Sequence, residues 1–127
     1  MIMQKKQYIT KEESLKCKKV TEAFKELYEM DGESIVVRDA GRYGYIKAQY
    51  YYEGKGFSDI FSFTNSKDLF MDLWHEWVYH ILLEKSKGTP LAELEYTEIY
   101  KCMSPATKRM ITRKKKYFLK RAGFWRF

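Results

Sequence analysis

The chain has 127 residues, the size of one domain, with 24 basic and 17 acidic residues and a net charge of +7. Its large aromatic and aliphatic content supplies a core that needs no covalent staple, and the two cysteines, Cys17 and Cys102, are too few and too far apart for a disulfide framework or a zinc site. No run approaches the roughly 18 apolar residues of a membrane span, and no signal-peptide pattern follows Lys5 and Lys6, so we expect a reduced, cytoplasmic protein.

The first predicted helix begins at a capping box. Thr10 is the expected N-cap, and Glu13 is expected to reach back to the start of the same helix. Four apolar residues at alternating intervals of three and four positions then form one stripe, namely Cys17, Val20, Phe24 and Leu27. The pattern predicts a helix to about Met30, where Asp31-Gly32 ends it.

The middle of the chain is typical of β-strands. We predict strands over residues 35–38, 43–53 and 57–64, and the last of these alternates with a period of two residues. Turn residues at 40–42 and 53–56 separate the strands. Connections this short exclude parallel crossovers, so the pattern predicts a three-stranded antiparallel meander.

Three start signals follow for helices. Asn65-Ser66 begins a helix with a wide apolar face, which we expect to end at Gly88. Thr89-Pro90 and Ser104-Pro105 each place proline at the first helical position, which predicts a short helical piece over 90–103 and a last helix over 105–122.

The predicted fold class is therefore α+β. It has an N-terminal helix, a three-stranded antiparallel meander, and then two to three helices that end in a strongly basic helix. We expect a compact α+β body over residues 1–103, with a basic C-terminal helix and aromatic tail over 104–127, within one domain overall.

The positive charge is concentrated in that last segment. All nine charged residues from Ser104 to Phe127 are basic, which leaves 15 basic and 17 acidic residues, a net charge of −2, in the first 103 positions. At about 100° per residue the basic residues spread around most of the helix. A cationic helix without acidic residues requires anions from elsewhere, and phosphates are the favoured candidates.

We therefore predict a small nucleic-acid-binding protein, regulatory or accessory, for DNA or RNA. Eight residues are the predicted phosphate contacts: Lys108, Arg109, Arg113, Lys114, Lys115, Lys116, Lys120 and Arg121. Contacts of this kind position a nucleic acid more than they read its sequence. Because aromatic rings beside cations can stack on unpaired bases, the candidate stacking residues are Tyr45, Tyr51 and Trp125. Half-buried sheet tyrosines are the alternative interpretation.

Two nucleic-acid-binding motifs bear comparison with these elements. Residues 95–121 resemble a helix-turn-helix in having an amphipathic helix, a Ser-Pro turn and a basic helix, although the turn lacks glycine. The order of one helix, three strands and a helix resembles double-stranded-RNA-binding domains. Those domains need basic residues at the start of the second helix, where this chain has Asp68 and Asp72, so we reject that identity.

An alternative function is a non-enzymatic protein-protein interaction module or inhibitor. The element order resembles that of some small anti-CRISPR proteins, which implies a product of a phage or mobile element that binds a protein or ribonucleoprotein target. The partner could also be a nucleic-acid-associated protein with an acidic surface. Membrane-surface binding through the helix and its Phe-Trp-Arg-Phe end is disfavoured, because the apolar stripe is narrow.

Enzymatic and metal chemistry find no support in the sequence. No glycine loop of the phosphate-binding type is present, and His75 and His80 are five residues apart rather than at i and i+4, so they face different sides of a helix. We therefore expect no catalytic residue, no metal, no cofactor and no small-molecule substrate.

Overall fold

A computed structural model describes residues 8–30, 35–50 and 57–124. Its α-helices, in chain order, are α1 (Lys11–Ala23), α2 (Lys25–Met30), α3 (Ser66–Ser86), α4 (Tyr96–Lys101) and α5 (Pro105–Arg121). Its strands are β1 (Ile35–Asp39), β2 (Tyr45–Tyr50) and β3 (Phe57–Phe63). Short 3-10 helices cover Gly41–Tyr43 and Pro90–Glu93.

The predicted α+β class and the antiparallel meander are confirmed. The strand order is β1-β2-β3, and the register places Val37 opposite Lys47 and Lys47 opposite Phe61. Because side chains alternate along a strand, these three residues share the face of the sheet that packs on the helices. The predicted strand end over 51–53 and the turn over 53–56 lie outside the described residues.

The predicted N-caps are confirmed at Thr10, Asn65, Thr89 and Ser104, each of which accepts a backbone N–H with its side chain. The predicted second half of the capping box, in which Glu13 reaches back to the start of α1, is wrong. The Glu13 carboxylate accepts the backbone N–H of Ser66 at 2.9 Å and its hydroxyl at 3.1 Å. It therefore links α1 to the first turn of α3, where the helix dipole favours a negative charge.

The first predicted helix is divided at Phe24. The Phe24 ring is buried between Phe118, at 4.4 Å between ring centroids, and Phe70, at 5.2 Å. At the break, the Tyr28 hydroxyl donates to the carbonyl oxygen of Thr21 at 2.9 Å. At the break between α1 and α2, the Tyr28 side chain therefore supplies the hydrogen-bond donor that a backbone N–H would supply in a continuous helix.

The core lies between the helices and the inner face of the sheet. Its buried residues come from α1, α2, β1, β2, α3, α4 and α5. From α5 it includes Ile111 and Phe118, and Phe118 also packs against the ring of Trp77 at 5.6 Å. The basic helix is therefore part of the hydrophobic core as well as a carrier of charge.

Candidate functional site

The basic helix α5 has one buried face and one open face. Ser104 caps it by accepting the N–H of Thr107 at 3.1 Å, and Pro105 occupies its first turn. The buried face consists of Ile111 and Phe118, with Ala122 just beyond the helix end. The seven-residue interval between the two buried residues keeps them on one side, so the cations on the opposite side face solvent.

Four basic residues form what we call the cationic stripe: Arg109, Arg113, Lys116 and Lys120. All four are exposed, and their spacing of four, three and four positions keeps them within a roughly 60° arc over about 17 Å of helix. No acidic side chain pairs with them among the described residues. The cations spread around most of the helix, as the sequence predicts, but half of the eight share this single open face.

Lys114 lies on the other side of α5 and does not belong to the stripe. Its ammonium lies 2.9 and 3.1 Å from the two carboxylate oxygens of Glu26 in α2. The same ammonium is 4.7 Å from the ring centroid of Tyr117 and 5.4 Å from that of Phe118. This residue was predicted as a phosphate contact, but the structure places it in a tertiary ion pair.

The remaining predicted contacts lie along the two edges of α5. Lys108 donates to the carbonyl oxygen of Lys101 at 3.2 Å, where it caps the C-terminal end of α4. Arg121 donates to the Tyr117 hydroxyl at 3.0 Å and stays exposed. Lys115 is half-buried at the edge next to α4. These three cations can support a ligand on the stripe but are not central to it.

The predicted stacking residues do not come together at this surface. Tyr45 is only 5% exposed and belongs to the core, and its burial raises the pKa of its hydroxyl. A ring so enclosed offers no open face to a base, so this candidate is withdrawn. Tyr51 and Trp125 lie outside the described residues.

A groove that the sequence did not indicate runs between α3, α4 and α5. It has a volume of about 530 Å³, and its floor is formed by the side chains of Trp74, Val78 and Ile111. Tyr96 and Tyr100 of α4 line one wall. Their i, i+4 spacing was visible in the sequence, but it acquires meaning only once α5 is packed beside α4.

A second cavity, of about 600 Å³, is also lined by Tyr96, and two acidic residues of its lining pair with a buried cation of the sheet. Lys47 of β2 is 1% exposed, and its ammonium lies 2.5 Å from Asp72 and 3.2 Å from Glu76. Both acids, with His75, line the cavity. Lys47 thereby links the sheet to α3 through two ion pairs.

Comparisons with known proteins do not assign this site. No protein-family model, curated protein or solved structure matches the chain. Within the described residues, no helix has both the length and the apolar character needed to cross a bilayer.

Proposed function

We propose that the protein binds nucleic acid and that the cationic stripe of α5 is the phosphate-contacting surface. The carrying observation is that Arg109, Arg113, Lys116 and Lys120 share one exposed face of a helix that has no acidic residue. Bringing four like charges together on one helix face is unfavourable unless an anion is present. A phosphate backbone neutralises such a row and releases its counterions.

The charge distribution of the whole chain supports the same surface. The first 103 residues carry a net charge of −2, so the excess of positive charge is confined to the last segment, most of which is α5. A polyanion approaching the protein is therefore attracted to α5 more strongly than to the rest of the chain. Two of the four stripe residues are arginines, whose guanidinium groups can bind a phosphate through two parallel hydrogen bonds.

Because α5 is packed into the core, the proposal is tested by charge substitution on its open face rather than by removal of the helix. Removal of the helix would also remove Ile111 and Phe118 from the core, so loss of binding after truncation would be ambiguous. Charge substitution on the open face avoids this problem. The stripe variant changes all four residues to glutamine, and a matched control changes four exposed lysines elsewhere to glutamine, namely Lys18, Lys25, Lys85 and Lys87.

Both variants carry the same net charge, which separates a local surface from bulk attraction. Binding to labelled duplex DNA, single-stranded DNA and RNA is measured by fluorescence anisotropy at several salt concentrations. The proposal predicts a loss of about tenfold or more for the stripe variant and a much smaller loss for the control. Equal losses in the two variants would contradict a dedicated surface.

A second candidate function rests on the outer face of the sheet. The register aligns Val36, Ala48 and Ile60 on the side away from the helices, and Ile60 is 61% exposed. Val36 is half-buried and Ala48 is buried, so the three residues form a small apolar patch that ends at exposed Ile60, and an apolar patch on an open sheet face can serve as a protein-protein contact. We propose an interaction module or inhibitor that uses this face as the alternative. In that case Ile60→Lys should abolish the capture of a protein partner from nuclease-treated lysate, whereas the stripe variant should still capture the same partner.

A further inference from the structure

We propose that the groove between α3, α4 and α5 receives an unpaired nucleobase from a strand whose phosphates lie on the cationic stripe. The inference rests on the proposed function and narrows it, because a base held in a duplex cannot enter the groove. It predicts that the protein prefers single-stranded over double-stranded nucleic acid.

The groove has the character of a ligand site. Its floor is apolar, since Trp74 is 6%, Val78 2% and Ile111 4% exposed. Its volume of about 530 Å³ lies within the range of small-ligand pockets. A flat, weakly polar ring is the part of a nucleotide that such a floor can accept.

Two tyrosines supply aromatic surfaces for stacking. Tyr96 and Tyr100 both line the groove and are both only half-buried. The Tyr96 ring has two aromatic neighbours that favour one orientation, Tyr79 at a centroid distance of 6.5 Å and an interplanar angle of 19°, and His75 at 6.4 Å. A pre-oriented ring loses little conformational entropy when a base stacks on it.

The groove is continuous with the charged surface of α5. Thr112 lines the groove and also a shallow cavity of about 300 Å³ that it shares with Lys108, Arg109 and Arg113. The Lys108 ammonium lies 5.6 Å from the ring centroid of Tyr100, at the boundary between the two. A strand whose phosphates contact Arg109 and Arg113 can therefore turn one base across Thr112 into the groove.

The rim of the groove complements a nucleotide in charge. Lys115 and Lys101 both line it, and Lys101 forms an exposed contact of 3.4 Å with Glu98. An exposed ion pair of this kind is weak, so the Lys101 ammonium can turn to a phosphate at little cost. The combination of an apolar floor, aromatic wall and cationic rim favours a base with its phosphate over a purely apolar ligand.

The test compares two oligonucleotides with the same number of phosphates. One is a single-stranded oligoadenylate, and the other is a strand of the same length in which every nucleotide is abasic. The intact protein should bind the oligoadenylate about tenfold more tightly, the equivalent of one stacked base. Tyr100→Leu should reduce that ratio toward one, whereas Tyr100→Phe should preserve it.

A second measurement needs no variant. Fluorescence of 2-aminopurine placed within the strand should change on binding, because stacking on tyrosine alters its emission. Equal affinity for the two strands, with steep salt dependence retained, would overturn the base-binding inference and leave the phosphate proposal standing. Failure to bind either strand or a duplex would overturn both, and tighter binding of a duplex than of the oligoadenylate would overturn the inference alone.

Discussion

Lys114, in the middle of helix α5, is ion-paired with Glu26 of α2 across 88 positions of sequence, with its ammonium 2.9 Å from the nearer carboxylate oxygen. The contact shows that the basic residues of α5 have two different roles. The residue that faces the body holds the helix in place, and the residues that face solvent remain available for a ligand. Although every charged residue of α5 is basic, the helix can in this way be both structural and exposed.

Neutralisation of Lys114 should affect stability rather than nucleic-acid binding. Because Lys114 and Glu26 are both partly exposed, a double-mutant cycle with Lys114→Gln and Glu26→Gln should give a coupling free energy of about 0.5–1 kcal/mol. Urea unfolding measures the coupling, and anisotropy measures the binding. Arg113→Gln is the control from the open face, and a Lys114 variant that loses as much affinity as this control would contradict the division of roles.

Replacement of Lys47 by methionine should destabilise the fold by about 2–4 kcal/mol. The change removes a buried cation and leaves Asp72 and Glu76 facing each other without it. The additional changes Asp72→Asn and Glu76→Gln should recover much of the loss, because they remove the unpaired charge. Urea unfolding of the single and triple variants tests this, and a cost below about 1 kcal/mol would show that the ion pairs are not structural.

Stability should fall between pH 9 and 11 because of Cys17. Burial, with smaller effects of Glu13 and Asp39, raises the pKa of its thiol from 9.0 to about 11. The unfolded chain loses this proton above pH 9 while the folded chain keeps it, so the stabilisation is complete below pH 9 and is lost as the pH rises to 11. The loss amounts to about 2–3 kcal/mol.

Cys17→Ala is the control for this titration, because burial also raises the pKa of Tyr28 and Tyr45. The difference in unfolding free energy between the two proteins should shrink as the pH rises through this interval. A difference that stays constant from pH 8 to 11 would show that the thiol is not protected. Ellman's reagent offers a second readout, in which exposed Cys102 should react rapidly and Cys17 only after unfolding.

Glu13→Ala should cost about 1–2 kcal/mol of stability, since it removes the acceptor for the Ser66 backbone N–H and hydroxyl at the start of α3. Glu12→Ala is a matched control. Glu12 is also an acid of the first turn of α1 and pairs with Lys16, but it is largely exposed, so its loss should cost less than about 0.5 kcal/mol. Thermal unfolding of both variants distinguishes a tertiary cap from ordinary surface charge.

The sequence predicted the elements of the fold because their boundaries are encoded locally. The N-cap side chains at Thr10, Asn65 and Ser104, and the proline after Ser104, act within a few residues of themselves. The meander followed from short turns, which act over a similarly small distance. Such local signals can be read from the sequence without knowing which elements pack against them.

The contacts that shape the site act over long distances in sequence and could not be read in the same way. The role of Lys114 depends on Glu26, and that of Lys47 depends on α3 packing over the sheet. Tyr45 follows the same alternation as an exposed strand residue, and only the helices above it make it core. The groove exists because α4 and α5 meet, so the i, i+4 spacing of Tyr96 and Tyr100 could not by itself indicate it.

The salt dependence of binding tests the central claim most directly. The slope of log K against log salt concentration reports how many phosphates the protein neutralises, at about 0.7 to 0.9 per contact. Measured for the intact protein and the stripe variant on the same single strand, the magnitude of the slope should fall by about 3, because four cations are lost. An unchanged slope, or a slope that falls equally in the matched control, would contradict the proposal that the open face of α5 binds nucleic acid.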